Sequence, residues 1–327
     1  MFDFKGKRVL VAGGTGLMGT QLVRLLIEQG ASVRIASLDE PSRAHPQAEF
    51  MRVDLLDPYN CLRVCIGMDY VFNLLCVKGS PSIVQKHKAM FFESNLFLDI
   101  LLLRAAKQAG VKGYLLASSV GIYPPGKEIF KEEDGGKVVS LDDSGGAAKL
   151  AAEYHAHCYQ QEYGEEIKIS IVRPANTYGP YDDFWSEGAT AVSKFIKRVA
   201  DGENPLIMTG DGSAVRDFIY SQDVARGMLM VANKGIQEPV NLGSGNGFSI
   251  KELVETIVVC SYERPKVVWD TSRQSPGDKI RVLDTNRANY LGFYPFISLR
   301  EGIQRTYNWY KENKNKRNTR YNPFSEK

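Results

Sequence analysis

Residues 7–19 read KRVLVAGGTGLMG. A short apolar run, Val9 to Ala12, closes on glycines and leads directly into LMGTQLVRLLIEQG (residues 17–30), where apolar positions recur at helical spacing. Glycines at 13, 16 and 19 permit a tight turn, close approach of the backbone to a pyrophosphate, and close packing of helix on strand. The start of the helix adds free N–H groups and the positive end of its dipole. A glycine triplet alone is a weak signal. At a strand–helix junction near the start of an alternating chain, it points to dinucleotide binding.

That alternation continues. SVRIAS (32–37), FMRVDLLD (50–57), DYVFNLLC (69–76), GYLLASS (113–119) and IKISIVRP (167–174) are short runs rich in Val, Ile and Leu, separated by helical segments. They lack the apolar–polar alternation of a half-exposed sheet, as expected for parallel strands covered on both faces. The pattern predicts an α/β fold, a Rossmann-type doubly wound parallel sheet with a smaller C-terminal α/β lobe. The expected division is a dinucleotide-binding domain over 1–178 and a substrate lobe over 179–327, with part of about 214–245 returning to the main domain.

Composition narrows the classes. A 43% hydrophobic and 24% charged chain of 327 residues is ordinary for a globular protein, and a formal charge of +3 gives no reason to expect nucleic acid. The longest apolar stretch, NLFLDILLLRAA, is interrupted by Asp99 and Arg104 and is too short to span a bilayer. MFDFKGKRVL lacks the apolar core of a secretion signal. Five cysteines in no ligand pattern predict neither a disulfide framework nor a metal site, and Cys61 and Cys65 fit one helix face. A reducing, cytoplasmic setting with no membrane partner is expected. The polar, basic tail KENKNKRNTRYNPFSEK is read as a solvated terminus.

Further motifs carry a resemblance. GGTGLMG (13–19), VDLLD (53–57), Asn95, LASSVGIYP (116–124), KLAAE (149–153), VRPANTYGP (172–180), VRDFIYSQDVA (215–225), VNLGSG (240–245) and the closing block 282–310 together resemble the extended short-chain dehydrogenase/reductase family, the nucleotide-sugar epimerases, dehydratases and reductases. CVKGSP (76–81) and the closing block resemble its GDP-fucose synthase branch. The resemblance implies a cofactor site formed by Gly13, Thr15, Gly16, Leu17, Met18, Gly19, Ser37, Asp39, Asp54, Leu55, Leu74 and Lys149. Asp39, two residues past the end of the second strand, favours NAD by offering a carboxylate to the ribose 2′-OH, while Arg34 and Arg43 leave NADP open. Asp54 suits the adenine amino group. Lys78, Asn176, Arg216 and Arg281 are expected to hold a nucleotide-diphosphate sugar, with Thr177 and Tyr178 in the same region. A guanidinium matches a diphosphate in charge and geometry. Homodimerisation through the helix from about Phe91 to Gln108 and the helix carrying Lys149 is implied as well.

The same resemblance exposes a gap. The family's active site combines a Ser or Thr with a Tyr four residues before a Lys. Here the hydroxyl is Ser119 and the lysine Lys149, but the tyrosine position is Gly145. Val120 and Gly121 replace the acidic pair of the 4,6-dehydratases. No His occurs in YDDFWSEGATAV (181–192) and no Cys in SSVGIYP, so the groups used for 3,5-epimerisation in the GDP-fucose synthases are missing. What stays compatible is hydride transfer at one sugar carbon, most simply C4, by a C4 dehydrogenase, 4-epimerase or 4-keto reductase. The alternative is a catalytically weak or inactive dinucleotide-binding sensor or scaffold.

Overall fold

The structure, a computed structural model, describes residues 3–79, 81–136, 143–186, 188–272, 278–316 and 320–321. Its strands, in chain order, are β1 (Arg8–Ala12), β2 (Ser32–Ser37), β3 (Glu49–Arg52), β4 (Tyr70–Asn73), β5 (Gly113–Ala117), β6 (Ile129–Phe130), β7 (Lys168–Pro174), β8 (Asn176–Tyr178), β9 (Leu206–Thr209), β10 (Val215–Tyr220), β11 (Val240–Leu242), β12 (Gly247–Ser249), β13 (Val267–Asp270) and β14 (Ile280–Leu283). The helices are α1 (Leu17–Glu28), α2 (Pro58–Cys65), α3 (Pro81–Lys86), α4 (Lys88–Gln108), α5 (Ser144–Tyr163), α6 (Ala191–Ala200), α7 (Ser221–Lys234), α8 (Ile250–Cys260), α9 (Asn286–Tyr290) and α10 (Leu299–Asn313).

Seven strands form one sheet in the order β3-β2-β1-β4-β5-β7-β11, every pairing parallel. Successive residues of β1 feed opposite layers. Val9 and Val11 pack with Leu22 and Leu26 of α1 and Met228 of α7, while Leu10 and Ala12 pack with Cys61 and Val64 of α2 and Leu102 of α4. Both faces of the strand are therefore dry, which is why its sequence shows no alternation. Successive strands extend the sheet in opposite directions from β1, with β2 and β3 on one side and β4 onward on the other. That junction is where ligands bind in open α/β sheets.

The C-terminal residues are not a simple appendage. β11 closes the edge of the main sheet beside β7, and α7 packs on α1. Gly227 lets α7 seat against β11, because a Cβ there would lie 2.7 Å from the Leu242 side chain. A third core gathers Tyr178, Phe184, Ile196, Leu253, Ile257 and Tyr307 between α6, α8 and α10. A smaller sheet, β12-β10-β14-β6 with β8 paired to β10, joins this core to the main domain. Among the described residues no helix is long and apolar enough to cross a membrane.

Candidate active site

The glycine loop is shaped by contacts that forbid side chains. Gly13 has φ +81°, and a Cβ on Gly19 would lie 2.2 Å from the Gly13 carbonyl oxygen. Helix α1 thus starts against the loop backbone. Its N-cap, Gly16, supplies no side-chain acceptor, which leaves first-turn N–H groups available to an anion. They face a cleft of about 630 Å³. Gly13, Thr15, Gly16, Leu17, Met18 and Gly19 line it beside β1. Ser37, Asp39, Asp54 and Leu55 line the β2–β3 side, and Leu74 and Lys78 the β4 side. Its volume and its uncapped helix terminus fit a dinucleotide.

Asp39 is the most heavily engaged group on this wall. Thr15 Oγ1 donates to its Oδ2 at 2.7 Å and also meets Ser37 Oγ at 2.8 Å. The backbone N–H of Tyr321 donates to Asp39 Oδ1 at 2.7 Å, and Arg43 Nε lies 3.4 Å from Oδ2. Burial, reinforced by the neighbouring Arg320 guanidinium, lowers the Arg43 pKa from its ordinary value. Two expectations change here. Arg34 faces away from the cleft, pairing with Glu49 at 2.9 Å and donating to the carbonyls of Val64 and Ile66 at the end of α2. The tail is not wholly solvated: Arg320 and Tyr321 line the cleft, and Arg320 Nη1 donates to the Tyr181 carbonyl at 3.1 Å. Polar composition carried no sign of this, because the decisive contact is made by a backbone N–H.

Helix α5 begins with Asp143 as N-cap, its Oδ1 accepting from Gly146 N at 2.7 Å. The two glycines that follow differ. A Cβ on Gly146 would lie 2.3 Å from the Gly121 carbonyl oxygen, so the close approach of α5 to the loop after β5 requires glycine there. A Cβ on Gly145 would meet, among the described residues, only Asp143 Oδ1, at 3.7 Å. One turn later, Lys149 is buried. Its Nζ donates to Asp99 Oδ2 at 2.9 Å and Oδ1 at 3.2 Å, and to the carbonyl of Leu75, a cleft residue, at 3.0 Å. Asn73 Nδ2 also donates to Asp99 at 2.8 Å. Burial pushes the Asp99 carboxyl up, and Lys149 and Asn73 pull it back. Asp99 was legible only as a charge interrupting an apolar helix. Ser119 Oγ accepts from Gly121 N at 3.0 Å and, like Lys149, lies outside the cleft lining.

The remaining site residues converge on three neighbouring strands. Asn176 on β8 pairs in register with Phe218 of β10, and its Nδ2 donates to the Asp217 carbonyl at 3.0 Å. Arg216 of β10 is directly opposite Arg281 of β14. Burial and the adjacent Arg281 lower the Arg216 pKa. Arg281 is held by Asp278, with Nη2 2.7 Å from Oδ2, while Arg216 Nη1 donates to the neighbouring Val215 carbonyl at 2.8 Å. Two side-by-side guanidiniums with one carboxylate between them leave a site of net positive charge. Tyr178 departs from expectation. It is buried in the third core, its hydroxyl donating to the Leu299 carbonyl at 3.2 Å. Thr177 Oγ1 donates to the Ala175 carbonyl at 3.1 Å.

The profile of the NAD dependent epimerase/dehydratase family matches residues 9–243, from β1 through the strand that closes the main sheet. The chain belongs to this family. It is 30% identical over 317 residues to GDP-mannose 3,5-epimerase of Arabidopsis thaliana, covering 93% of this chain and 82% of that one. Among solved structures it is similar to the UDP-glucose 4-epimerase of Thermotoga maritima, determined with UDP-glucose (TM-score 0.84, 28% identity, 93% of this chain and 99% of the other). It is also similar to the UDP-glucose 4-epimerase of Thermus thermophilus in complex with NAD (TM-score 0.82, 26% identity, 94% and 99%). Family membership accounts for the glycine loop and the strand order. It does not by itself select among the reactions that these relatives carry out.

Proposed function

We propose that the protein is an NAD-dependent oxidoreductase or epimerase of a nucleotide-diphosphate sugar, acting at one sugar carbon, most simply C4. The observation that carries this reading is the opposed pair Arg216 and Arg281, which a protein binding only a dinucleotide does not need. Two fixed guanidiniums on adjacent strands suit the oxygens of a diphosphate. Asn176, on the next strand, and Lys78, in the cleft wall, extend the surface available to the sugar nucleotide. On the cofactor side, Asp39, held by Thr15 in the cleft wall just beyond β2, offers a carboxylate for a ribose diol, which favours NAD over its 2′-phosphorylated form. Bound in the cleft, NAD would accept hydride from the sugar carbon. The chain's own residues bind and orient both molecules, exclude water, and move the hydroxyl proton.

A second reading, a dinucleotide-binding sensor or scaffold, draws on the Lys149–Asp99 pair. An ammonium held in a buried ion pair is committed structurally and is less available to tune a proton donor. Two measurements separate the readings. Mass spectrometry of ligands retained on purification should find a nucleotide sugar or its keto form. Single-turnover reduction of bound NAD, followed by absorbance across GDP-, UDP-, CDP- and dTDP-sugars, should detect at least one substrate. Dinucleotide alone, with no reduction by any sugar, would establish the second reading.

A further inference from the structure

The missing tyrosine leaves open space at the start of α5, and an acid borders that space. Beyond its chain neighbours and its own helix backbone, a Cβ on Gly145 would meet nothing among the described residues within 4 Å except Asp143 Oδ1, at 3.7 Å. The other carboxylate oxygen faces Ser119 across Gly121. A Cβ on Gly121 would lie 2.9 Å from Asp143 Oδ2 and 3.3 Å from Ser119 Oγ, so that residue leaves bare the surface between carboxylate and hydroxyl. Oδ1 is occupied by the helix cap, while Oδ2 accepts no hydrogen bond among the described residues. Two buried hydroxyls next to this group in sequence, Ser118 Oγ and Ser144 Oγ, also find no partner among the described residues. Buried hydroxyls are normally satisfied, by protein or by water. Lys149, one turn further on, is engaged by Asp99 and Leu75 rather than by this carboxylate.

We propose that Asp143 is the acid/base group for the reacting sugar hydroxyl, acting through a water lodged beside Gly145 and assisted by Ser119. This rests on the oxidoreductase reading above. In the oxidative direction NAD, when bound in the cleft, would take up the C4 hydrogen with its electron pair as the C4–H bond breaks. The O–H bond breaks as its proton passes through the bridging water to Asp143 Oδ2. The products are a 4-ketosugar, NADH and a neutral Asp143 carboxyl, and the return reaction uses that proton. A carboxylate is a far weaker base than a tyrosinate, the side-chain pKa values being about 4 and about 10. Slow turnover is the consequence. The role of Asp143 as helix cap is separable, because an asparagine oxygen caps equally well but takes no proton.

The test therefore compares wild type with Asp143→Asn and Asp143→Ala, using the sugar that reduces bound NAD in the wild type. Asp143→Asn should lower the single-turnover rate about 10²-fold or more, with melting temperature and NAD affinity unchanged. Formate should restore part of the rate to Asp143→Ala. A binding measurement gives a readout independent of turnover. By calorimetry, NAD-free wild type should hold the 4-hydroxy sugar nucleotide about ten-fold tighter than its 4-deoxy analogue, the scale of a hydrogen bond to a charged group. Asp143→Ala should lose that preference. An Asp143→Asn rate within about three-fold of wild type, a rate loss that follows a lowered melting temperature, or an unchanged preference in Asp143→Ala would each overturn the assignment while leaving the oxidoreductase reading intact. A wild type that reduces NAD with no sugar would overturn both.

Discussion

At the scale of single residues, Gly145 and Gly146 are neighbours with opposite constraints. Gly146→Ala places a methyl group 2.3 Å from the Gly121 carbonyl oxygen, a backbone atom that cannot swing aside. It should destabilise the protein by about 1–3 kcal/mol, the usual cost of overpacking. Gly145→Ala meets no obstacle among the described residues and should stabilise by up to about 1 kcal/mol through helix propensity. Paired urea titrations would test this, and equal effects at the two positions would contradict the geometry. The sequence displayed both glycines but could not rank them, because the difference depends on a loop about 25 residues away. Asp99 was hidden similarly. Its partner Lys149 is 50 positions along the chain, and only the packing of α4 on α5 brings the two charges to 2.9 Å.

Elements show where legibility ends. The β1–α1 junction was readable because its constraint is local: three glycines, a strand and a helix within one short segment. The small sheet was not. β6 has two residues and β8 and β12 three each, too short for a period to register. Yet this sheet aligns Arg216 with Arg281. If the pair clasps a diphosphate, Arg216→Ala and Arg281→Ala should each weaken nucleotide-sugar binding by about 1–3 kcal/mol, typical of a charged hydrogen bond. NAD affinity should hardly move. Calorimetry on both ligands decides it, and loss of NAD binding in either variant would count against the assigned role. Arg34 marks the opposite error. Its place on β2 suggested the cofactor, but its side chain extends to the carbonyls ending α2.

For the whole molecule, we propose association through α4 and α5, which pack together and expose Phe97 and Tyr154, 50% and 72% accessible. Along α4, Leu103 belongs to the core and Phe92 is exposed, so only part of the helix's apolar surface is available to a second copy. Sedimentation at micromolar concentration should show a dimer, and Tyr154→Glu with Phe97→Glu a monomer. The cofactor cleft makes a different demand on the whole chain. Tyr321 N and Asp39 Oδ1 meet across 282 positions, and β11 closes the sheet edge only after 239 residues have passed. On the ribosome the glycine loop emerges some three hundred residues before Tyr321, and domains often begin folding as they leave the exit tunnel. This nucleotide pocket nonetheless gains one wall only once residue 321 has been made. Stalled nascent chains ending at residue 315 should therefore retain NAD more weakly than chains in which residue 321 has cleared the tunnel, and equal retention would show that the wall is dispensable. Retained NAD would thus report that the segment around Tyr321 has joined the fold, rather than help that fold to start.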